Sequence, residues 1–453
     1  MKIVILGGVA AGAKVAAKTR RLLPDAKICL YTDDTHISYS SCGLPYYIQG
    51  NFEDYRTLLV RSPEKFEAQG VEIFLRHKAI KLLPDSQQIL ILNLKNNRSH
   101  LVEYDKLVIA TGARAVIPEI KNVSLKNVFT LRKIEDGIAI RERALKSKSV
   151  TIIGSGYIGL ELLEAFVELG LKVTLVEFAP HIAPMFDVDM SEVIEEQLDS
   201  INQGRFNILT SELVTEFVPN ENGEVIGIKT GTGKEFRTDM VVICVGVRPN
   251  VEFAQDAGVA IGETGAIKVN KHMHTNLPHI YACGDCAEKT SLITGKKIWI
   301  PLGSTANKEG RVAAINLSGG DEDFDGILGS SVVRCLALTM SMTGLTENRA
   351  KQLGFEPICA VVTKYDKVGY MPDVNNITLK LVADKRTGLL LGGQAVGAGD
   401  ADKRINTLTA ALIGKLTVDE FTRNDLTYAP PFSPTIDPLL NAAQILYKKI
   451  ENA

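Results

Sequence analysis

Short apolar runs that end at glycine-rich turns are the main pattern along this chain. Residues 2–6 read Lys-Ile-Val-Ile-Leu, typical of a short buried strand, and they run directly into the turn 7–12, Gly-Gly-Val-Ala-Ala-Gly. A helix rich in Ala and Lys follows to about Leu23 and ends before Pro24, and the apolar run 27–31 predicts a second strand. Strand, glycine turn, helix and strand is the order of a nucleotide-binding unit.

The same order returns in residues 149–177, where it matches the dinucleotide fingerprint in full. The turn 154–159 reads Gly-Ser-Gly-Tyr-Ile-Gly. In this fingerprint Gly154 permits the tight turn, Gly156 lets the backbone approach a pyrophosphate, and Gly159 lets the helix pack on the strand. The helix that follows offers unpaired N–H groups and a partial positive charge to the phosphates.

The acid of this fingerprint is Glu177, about 20 residues past the first glycine, where a carboxylate can grip a ribose diol. No Arg or Lys follows closely, because the next residues are Phe178, Ala179, Pro180 and His181. A 2′-phosphate would meet negative charge at this point. The sequence therefore favours NADH over NADPH.

The first copy of the motif, which begins with Gly7 and ends with Gly12, is looser. Val9 stands where the middle glycine is usual, and Gly8 is the residue that can compensate. Thr32 occupies the strand end where an acid is expected. Two acids follow at once, so the ribose ligand of this copy is left open between Asp33 and Asp34.

Three later strand ends carry turn residues in an order that links the two nucleotide units. After the strand 106–109 comes Ala110-Thr111-Gly112, after a buried strand comes Gly246, and after the strand that begins at Ile280 comes Gly284-Asp285. The Asp285 carboxylate is suited to a polyol such as ribityl. Ala306 completes this set of cofactor-binding candidates.

Composition narrows the class of protein. At 453 residues, the chain is long enough for two or three domains, and its formal net charge of -2 gives no basic field that indicates nucleic acid or an anionic membrane. No apolar run is long enough to span a bilayer. The glycines and the four basic residues of 7–21 argue against a signal peptide. The seven cysteines are scattered and odd in number, which fits a reducing cytoplasm.

In this order, the motifs resemble the pyridine nucleotide–disulfide oxidoreductase class over essentially the whole chain. Residues 37–47 read Ile-Ser-Tyr-Ser-Ser-Cys-Gly-Leu-Pro-Tyr-Tyr, and Cys42 has no second cysteine in the positions that follow it, 43–48. This segment is similar to the single-cysteine branch, the coenzyme A disulfide reductases and their NADH oxidase relatives.

The resemblance implies an α/β fold of three domains. Two are Rossmann-like: an FAD-binding domain made of 1–112 and 246–325, and an NAD(P)H-binding domain of 113–245. The third, 326–453, resembles the α+β dimerisation domain. The mechanism that follows from the resemblance assigns Tyr157 and Ile158 to gating the nicotinamide and Glu161 to positioning it.

The resemblance also implies the chemistry of Cys42. In this class the sulfur touches the flavin, so electrons from NADH pass through FAD into a disulfide between the cysteine and a small thiol, here coenzyme A. A helix that starts after Gly43 would stabilise the thiolate. The Cys283/Cys286 pair brackets the expected flavin ligand Asp285 and has no second ligand pair nearby, so no metal site is predicted.

Across the dimer, the segment 426–433 resembles the one that reaches the partner's cysteine. Tyr428 would then donate a proton to, or hydrogen-bond with, the departing thiolate. Tyr370 matches a second tyrosine of coenzyme A disulfide reductases, although Met371 departs from their Tyr-Tyr-Pro pattern. The predicted protein is a homodimer whose active site is completed across the interface.

The acceptor is left open between several alternatives. Water-forming oxidases and peroxidases of this branch carry a histidine at the position of Ala10, where it serves as an acid/base group. Its absence here weakens the interpretation as an NADH oxidase. A coenzyme A persulfide or polysulfide reductase would share every residue named, and a non-catalytic flavin-binding redox sensor is a remote alternative. The candidate ligands for coenzyme A, which could equally form a solvated surface, are Lys14, Lys18, Arg20, Arg21, Ser38 and Ser41.

Overall fold

The computed structural model describes residues Met1–Asn452. The helices are α1 (Ala10–Leu22), α2 (Leu44–Gln49), α3 (Pro63–Glu67), α4 (Ile134–Ala144), α5 (Tyr157–Glu168), α6 (Val188–Asn202), α7 (Glu252–Gln255), α8 (Gly303–Leu317), α9 (Glu347–Gln352), α10 (Ala401–Ile413), α11 (Val418–Thr422) and α12 (Pro438–Glu451). Among the residues described, no helix is long and apolar enough to cross a membrane.

The strands follow the same chain order. They are β1 (Lys2–Leu6), β2 (Lys27–Thr32), β3 (Val71–Leu75), β4 (His77–Leu83), β5 (Gln88–Asn93), β6 (Arg98–Glu103), β7 (Lys106–Ile109), β8 (Ala113–Ala115), β9 (Val128–Thr130), β10 (Ser149–Ile153), β11 (Lys172–Val176), β12 (Phe206–Leu209), β13 (Val214–Pro219), β14 (Val225–Thr230), β15 (Glu235–Arg237), β16 (Val241–Ile243), β17 (Val247–Pro249), β18 (Ile280–Ala282), β19 (Lys289–Thr290), β20 (Lys297–Ile298), β21 (Ser331–Cys335), β22 (Leu338–Gly344), β23 (Pro357–Tyr365), β24 (Asn376–Asp384) and β25 (Leu390–Gly397). The predicted α/β class, with an α+β C-terminal part, is confirmed.

Two compact units divide the chain. Unit 1 consists of Met1–Val116, Leu131–Arg141 and Gly246–Ile327, and unit 2 consists of Ile117–Thr130, Glu142–Val245 and the chain from Leu328 onward. The three-domain division stays a prediction.

Unit 1 is built on a parallel sheet in the order β18-β7-β1-β2-β3. Its strands are continuous apolar runs because both faces of a parallel sheet are covered. Helices α1 and α8 pack so closely that a Cβ on Gly310 would lie 2.6 Å from the Ala11 carbonyl oxygen. The carboxyl ends of β1, β7 and β18 meet at one edge, which brings their three turns together.

Unit 2 contains a second parallel sheet, β12-β11-β10-β16-β9, and an antiparallel sheet, β21-β22-β25-β24-β23. Polar contacts tie helix α5 to the antiparallel sheet. The Tyr157 hydroxyl lies 2.6 Å from the Ser331 hydroxyl, and the Glu164 carboxylate accepts hydrogen bonds from Arg334 and from the Leu336 N–H. These contacts orient the helix that follows the second glycine turn.

Candidate functional site

The first glycine turn lies in unit 1, between β1 and α1. Gly7 has φ +100°, and a Cβ there would lie 2.1 Å from the Ala110 carbonyl oxygen. A Cβ on Gly12 would lie 1.9 Å from the Gly7 carbonyl oxygen, so the helix begins in direct backbone contact with the turn. Gly8 is constrained differently, because its Cβ would lie 2.4 Å from a methyl of Ile37. The protein's own core therefore explains Gly8 without a ligand.

The second glycine turn, in unit 2, repeats this geometry. A Cβ on Gly159 would lie 2.0 Å from the Gly154 carbonyl oxygen, whereas one on Gly156 would meet no protein atom within 4 Å. The Glu177 carboxylate, 8% exposed, accepts hydrogen bonds from the Ser155 N–H (2.8 Å) and hydroxyl (2.7 Å) and from the Ala179 N–H (2.8 Å). Glu177, the residue directly after β11, therefore stabilises the glycine turn through these hydrogen bonds.

The open space at Gly156 makes a sharp prediction. We expect Gly156→Ala to fold normally and to raise the KM for NADH by about tenfold or more, since only a bound ligand can meet the added methyl. The control is Gly231→Ala, also in unit 2, whose Cβ would make ordinary contacts at 3.8 Å. Steady-state kinetics would measure both variants, and an unchanged KM in Gly156→Ala would place the pyrophosphate elsewhere.

The two acids after β2 differ in surroundings. Asp33 is exposed, and Asp34 is 8% exposed. The Lys133 ammonium lies 2.7 Å from Asp34 and 3.2 Å from Asp33, and the Tyr39 hydroxyl donates to Asp34. Burial raises the pKa of the Asp34 carboxyl, while Lys133 opposes the rise. Both carboxylates pair with Lys133, but Asp34 is buried and Asp33 is exposed, which makes Asp33 the more accessible of the two.

The third turn of unit 1 holds Asp285. Its carboxylate lies 3.4 Å from the Arg132 guanidinium, and its carbonyl accepts a hydrogen bond from the Trp299 indole at 2.7 Å. Gly284 has φ +81°, and a Cβ there would lie 2.9 Å from Ala11 and 3.7 Å from Ala306. The Gly284 turn thus packs against the start of α1, which places Asp285 beside the first glycine turn.

The remaining turn candidates of unit 1 support this arrangement. The Thr111 hydroxyl donates to the Asn250 carbonyl at 2.7 Å, and the Gly246 carbonyl accepts from the Val116 N–H at 3.0 Å. Gly112 has φ +65° and Gly246 φ +109°, backbone conformations that glycine adopts readily. These contacts join the segment after β7 to the residues on either side of β17.

Cys42 is exposed and lies in a single turn of 3-10 helix, Ser41–Gly43, directly before α2. Its segment is tied to the first glycine turn, because the Ser38 N–H donates to the Gly8 carbonyl at 2.7 Å. A Cβ on Gly43 would lie 2.3 Å from a methyl of Leu58, so the turn is packed tightly on its inner side. The structure therefore brings the cysteine segment and the first glycine turn together within unit 1.

The six candidate ligands for coenzyme A are in varied positions. Arg20 donates to the backbone carbonyls of Pro24, Ala26 and Gly70, and so closes the end of α1. Arg21 is exposed. The remaining four are partly buried: Lys14, Lys18, Ser38 and Ser41. Because the Arg20 donors bind carbonyls near the end of α1, the structure favours a structural role for this side chain. A role in binding coenzyme A stays a prediction for all six residues.

Tyr157, Ile158 and Glu161 lie on α5 and are partly buried. Tyr157 and Ile158 begin the helix, and Glu161 lies about one turn further along it. Burial raises the pKa of the Glu161 carboxyl to about 7, and the neighbouring Glu164 adds to the rise. Below about pH 7 the protonated form is therefore favoured in the folded protein. A carboxyl of this kind can hold a proton near neutral pH.

Glu161 predicts a pH dependence of stability. The folded state binds its proton between pH 4.5 and about 7, where the unfolded state has released it, so the free energy of unfolding should fall by about 1–3 kcal/mol as pH rises through this window. Urea unfolding of the protein without NADH, at pH 5 to 8, would measure the slope. We expect Glu161→Gln to show a shallower slope than the wild type; equal slopes would contradict the assignment.

The two candidate tyrosines lie in unit 2 and are exposed, Tyr428 by 52% and Tyr370 by 73%. The Tyr428 segment is anchored at its far end by Arg404, a buried side chain that pairs with Asp437 at 3.1 Å and donates to the Asp366 carbonyl at 2.6 Å. The exposed apolar side chains of this segment are Tyr428, Phe432 and Ile436. An exposed apolar row of this kind is typical of a surface covered by a partner.

Several contact residues were missed by the sequence argument: Ser155, Arg132, Lys133, Trp299, Lys289, Glu309 and Arg404. For Arg132 and Lys133 a signal existed, since these two consecutive basic residues come one residue after the end of β9. For Arg404 and Glu309 there was none, because a charged residue on an amphipathic helix ordinarily faces solvent.

Two family models match the chain. One, described as pyridine nucleotide-disulphide oxidoreductase, covers residues 1–310, and the other, described as its dimerisation domain, covers residues 331–439.

Known proteins of similar sequence and structure span nearly the whole chain. An NAD(P)H sulfur oxidoreductase (CoA-dependent) of Pyrococcus furiosus is 37% identical, over 98% of this chain and 99% of that protein. A coenzyme A disulfide reductase of Staphylococcus aureus (strain Newman) is 32% identical, over 95% and 96%. The structure of an NAD-dependent persulfide reductase from A. fulgidus is 35% identical, with a TM-score of 0.96 over 100% of this chain and 84% of that one.

Proposed function

Because this chain belongs to the pyridine nucleotide-disulphide oxidoreductase family, we propose that it reduces the disulfide of coenzyme A with NADH, through FAD and the thiolate of Cys42. The observation that carries the proposal is the exposed Cys42, whose segment is hydrogen-bonded to the first glycine turn through Ser38 and Gly8. An exposed cysteine tied to a nucleotide turn is accessible to a thiol substrate.

The residues of unit 1 fit FAD. Gly7 and Gly12 give the close strand-to-helix turn that a pyrophosphate needs, and Asp285, at the neighbouring turn, is a ligand for the ribityl hydroxyls. Asp33 is assigned to the adenosine ribose. When bound, FAD supplies the step between a two-electron hydride donor and a sulfur acceptor.

The residues of unit 2 are assigned to NADH. Gly154, Gly156 and Gly159 shape the phosphate turn, which Glu177 braces while its carboxylate meets the ribose. Tyr157, Ile158 and Glu161 are assigned to the nicotinamide end. NADH stays favoured over NADPH because no basic residue follows Glu177 in 178–181.

The sulfur chemistry divides into two exchanges at Cys42. Its thiolate attacks a disulfide R–S–S–R, forming a Cys42–S–S–R bond and releasing one thiol; two electrons from NADH then cleave that bond and release the second. In sum, NADH, one proton and R–S–S–R give NAD⁺ and two R–SH. Tyr428 of the second copy in a homodimer is assigned to supply the proton to the departing thiolate, and Tyr370 is assigned to the same site.

A second candidate acceptor is a coenzyme A persulfide or polysulfide. It is favoured by the 37% identity to a protein named NAD(P)H sulfur oxidoreductase (CoA-dependent), which exceeds the 32% identity to the coenzyme A disulfide reductase. The same thiolate attack on a sulfur–sulfur bond serves both substrates.

Parallel assays distinguish the acceptors. NADH oxidation would be followed with coenzyme A disulfide, with coenzyme A persulfide and with oxygen alone, at matched concentrations. The proposal expects the disulfide to give the highest kcat/KM. A higher value for persulfide would support the second candidate, and stoichiometric oxygen consumption as the fastest reaction would support an NADH oxidase instead.

A further inference from the structure

A buried ion pair lies beside the Gly284 turn of unit 1. Lys289 is 1% exposed and Glu309 0%, and the Lys289 ammonium lies 3.6 Å from a Glu309 carboxylate oxygen. Taking two charges out of water costs more than their attraction commonly returns, so a buried pair is weak evidence of stabilisation. Its placement suggests a role in holding a particular geometry.

The pair holds both polar groups of one residue. The Glu309 Oε2 atom accepts a hydrogen bond from the Gly284 N–H at 2.7 Å, and the Lys289 ammonium donates to the Gly284 carbonyl at 2.6 Å. Lys289 also donates to the Ala287 carbonyl at 2.8 Å. These charge-assisted bonds fix the rotation of the two peptide groups that flank Gly284. Asp285 is the next residue along the chain.

The position of the turn is fixed by packing as well. The absence of a side chain at Gly284 lets the turn fit against Ala11 of α1 and Ala306 of α8. The carbonyl of Asp285 is held separately by Trp299. The backbone on both sides of the Asp285 carboxylate is therefore fixed by buried or partly buried donors and acceptors.

Opposing effects act on the Glu309 carboxyl. Burial raises the pKa of the Glu309 carboxyl to about 7, Lys289 and the Gly284 N–H oppose the rise, and Asp285 adds to it. The other titratable groups that face it are the thiols of Cys283 and Cys286, whose pKa values burial raises. The Glu309 Oε1 atom is buried and has no hydrogen-bond partner among the described residues.

We propose that Lys289 and Glu309 are positioning residues for the flavin: they hold the Gly284 turn so that Asp285 is presented to the ribityl chain of FAD. The proposal rests on the proposed function, since it requires FAD in unit 1. Neither residue is assigned a contact with FAD. Their effect passes through the backbone of Gly284.

The test is the double variant Lys289→Met with Glu309→Gln. It removes both charges at nearly constant volume, and the glutamine oxygen can still accept from Gly284, but methionine cannot donate to the two carbonyls. A purely structural ion pair can be replaced by neutral residues with little loss. We therefore expect the double variant to remain folded, with a modest loss of stability because the Gly284 and Ala287 carbonyls lose their donor, and to lose FAD about 10- to 100-fold faster.

The rate of FAD loss is read from the rise of free-flavin fluorescence after dilution of the purified holoenzyme. The matched control is Lys106→Met, at the amino end of β7, whose ammonium donates to the Leu317 carbonyl at 2.6 Å. The control should release FAD at the wild-type rate, within about twofold. A double variant that also releases FAD at the wild-type rate would overturn the proposal.

A second variant covers the case in which the double variant does not fold. Trp299→Phe removes the donor to the Asp285 carbonyl without a charge change, and we expect it to release FAD faster than the wild type for the same reason. An unchanged rate would contradict positioning through this turn. The proposed function is tested separately. If the wild-type protein binds no FAD at all, that function fails, whereas normal retention in both wild type and variants refutes only the positioning role.

Discussion

Cys42→Ser should abolish disulfide reduction, with kcat for coenzyme A disulfide lower by about 10³-fold or more. Serine has nearly the shape of cysteine, but its hydroxyl is not ionised near neutral pH and cannot exchange with a disulfide. Because Cys42 is exposed and its segment is held by Ser38 and Gly8 through backbone atoms, the fold should be unaffected. Stopped NADH turnover with a normal FAD content would be the expected result.

The control is Cys359→Ala, in β23 of unit 2, a partly buried thiol whose pKa burial raises. This variant should keep kcat within about twofold of the wild type. If Cys42→Ser retained full disulfide reduction, the cysteine mechanism would be wrong. If both cysteine variants lost activity together, a general effect of cysteine removal on folding would be indicated, and their circular dichroism and FAD content would show it.

Arg404→Leu should lower the free energy of unfolding by about 3–5 kcal/mol, the largest stability effect we expect in unit 2. The side chain is 1% exposed, and its loss leaves the Asp437 carboxylate buried without its cation and the Asp366 carbonyl without a donor. Asp437 also accepts hydrogen bonds from the Ser433 hydroxyl at 2.9 Å and from the Leu439 N–H in the first turn of α12, so the whole 433–439 segment depends on this ion pair.

The matched control is Arg423→Leu, since Arg423 forms an Arg–Asp pair at 3.0 Å with Asp419 but is 65% exposed. An exposed pair contributes about 0–1 kcal/mol, so this variant should unfold almost as the wild type does. Urea unfolding at fixed protein concentration gives both values. Equal losses in the two variants would mean that burial of Arg404 has no special role.

The glycine turns and the strands on either side of them could be predicted from the sequence. A strand buried on both faces is a continuous apolar run. A position with positive φ, or one where a Cβ would lie about 2 Å from backbone, requires glycine, as at Gly7, Gly12 and Gly159. The apolar run and the glycine are both requirements of the local chain, so the sequence shows them directly. The short helix after Gly43 could also be predicted from the sequence. The sheet edge at which Asp285 lies could be predicted because the carboxyl ends of neighbouring parallel strands meet.

The partners of the charged side chains could not be predicted. Two ion pairs, Lys133 with Asp34 and Lys289 with Glu309, join residues that are not neighbours on one helix or strand. No regular spacing in the sequence therefore predicts these pairs. The position of Glu177 predicts a ribose ligand, and that role stays a prediction. Its hydrogen bonds from Ser155 are visible only in the folded turn.

The sequence by itself determined the two glycine-rich nucleotide motifs and the single-cysteine motif around Cys42, because each depends on residues close together along the chain. Tertiary structure decided which charges are buried and what they hold. Burial and pairing are properties of the assembled core, where the free energy of a carboxylate or an ammonium depends on neighbours supplied by other helices and strands. Arg404 and Glu309 look like surface residues in the sequence, and the fold places both in its interior.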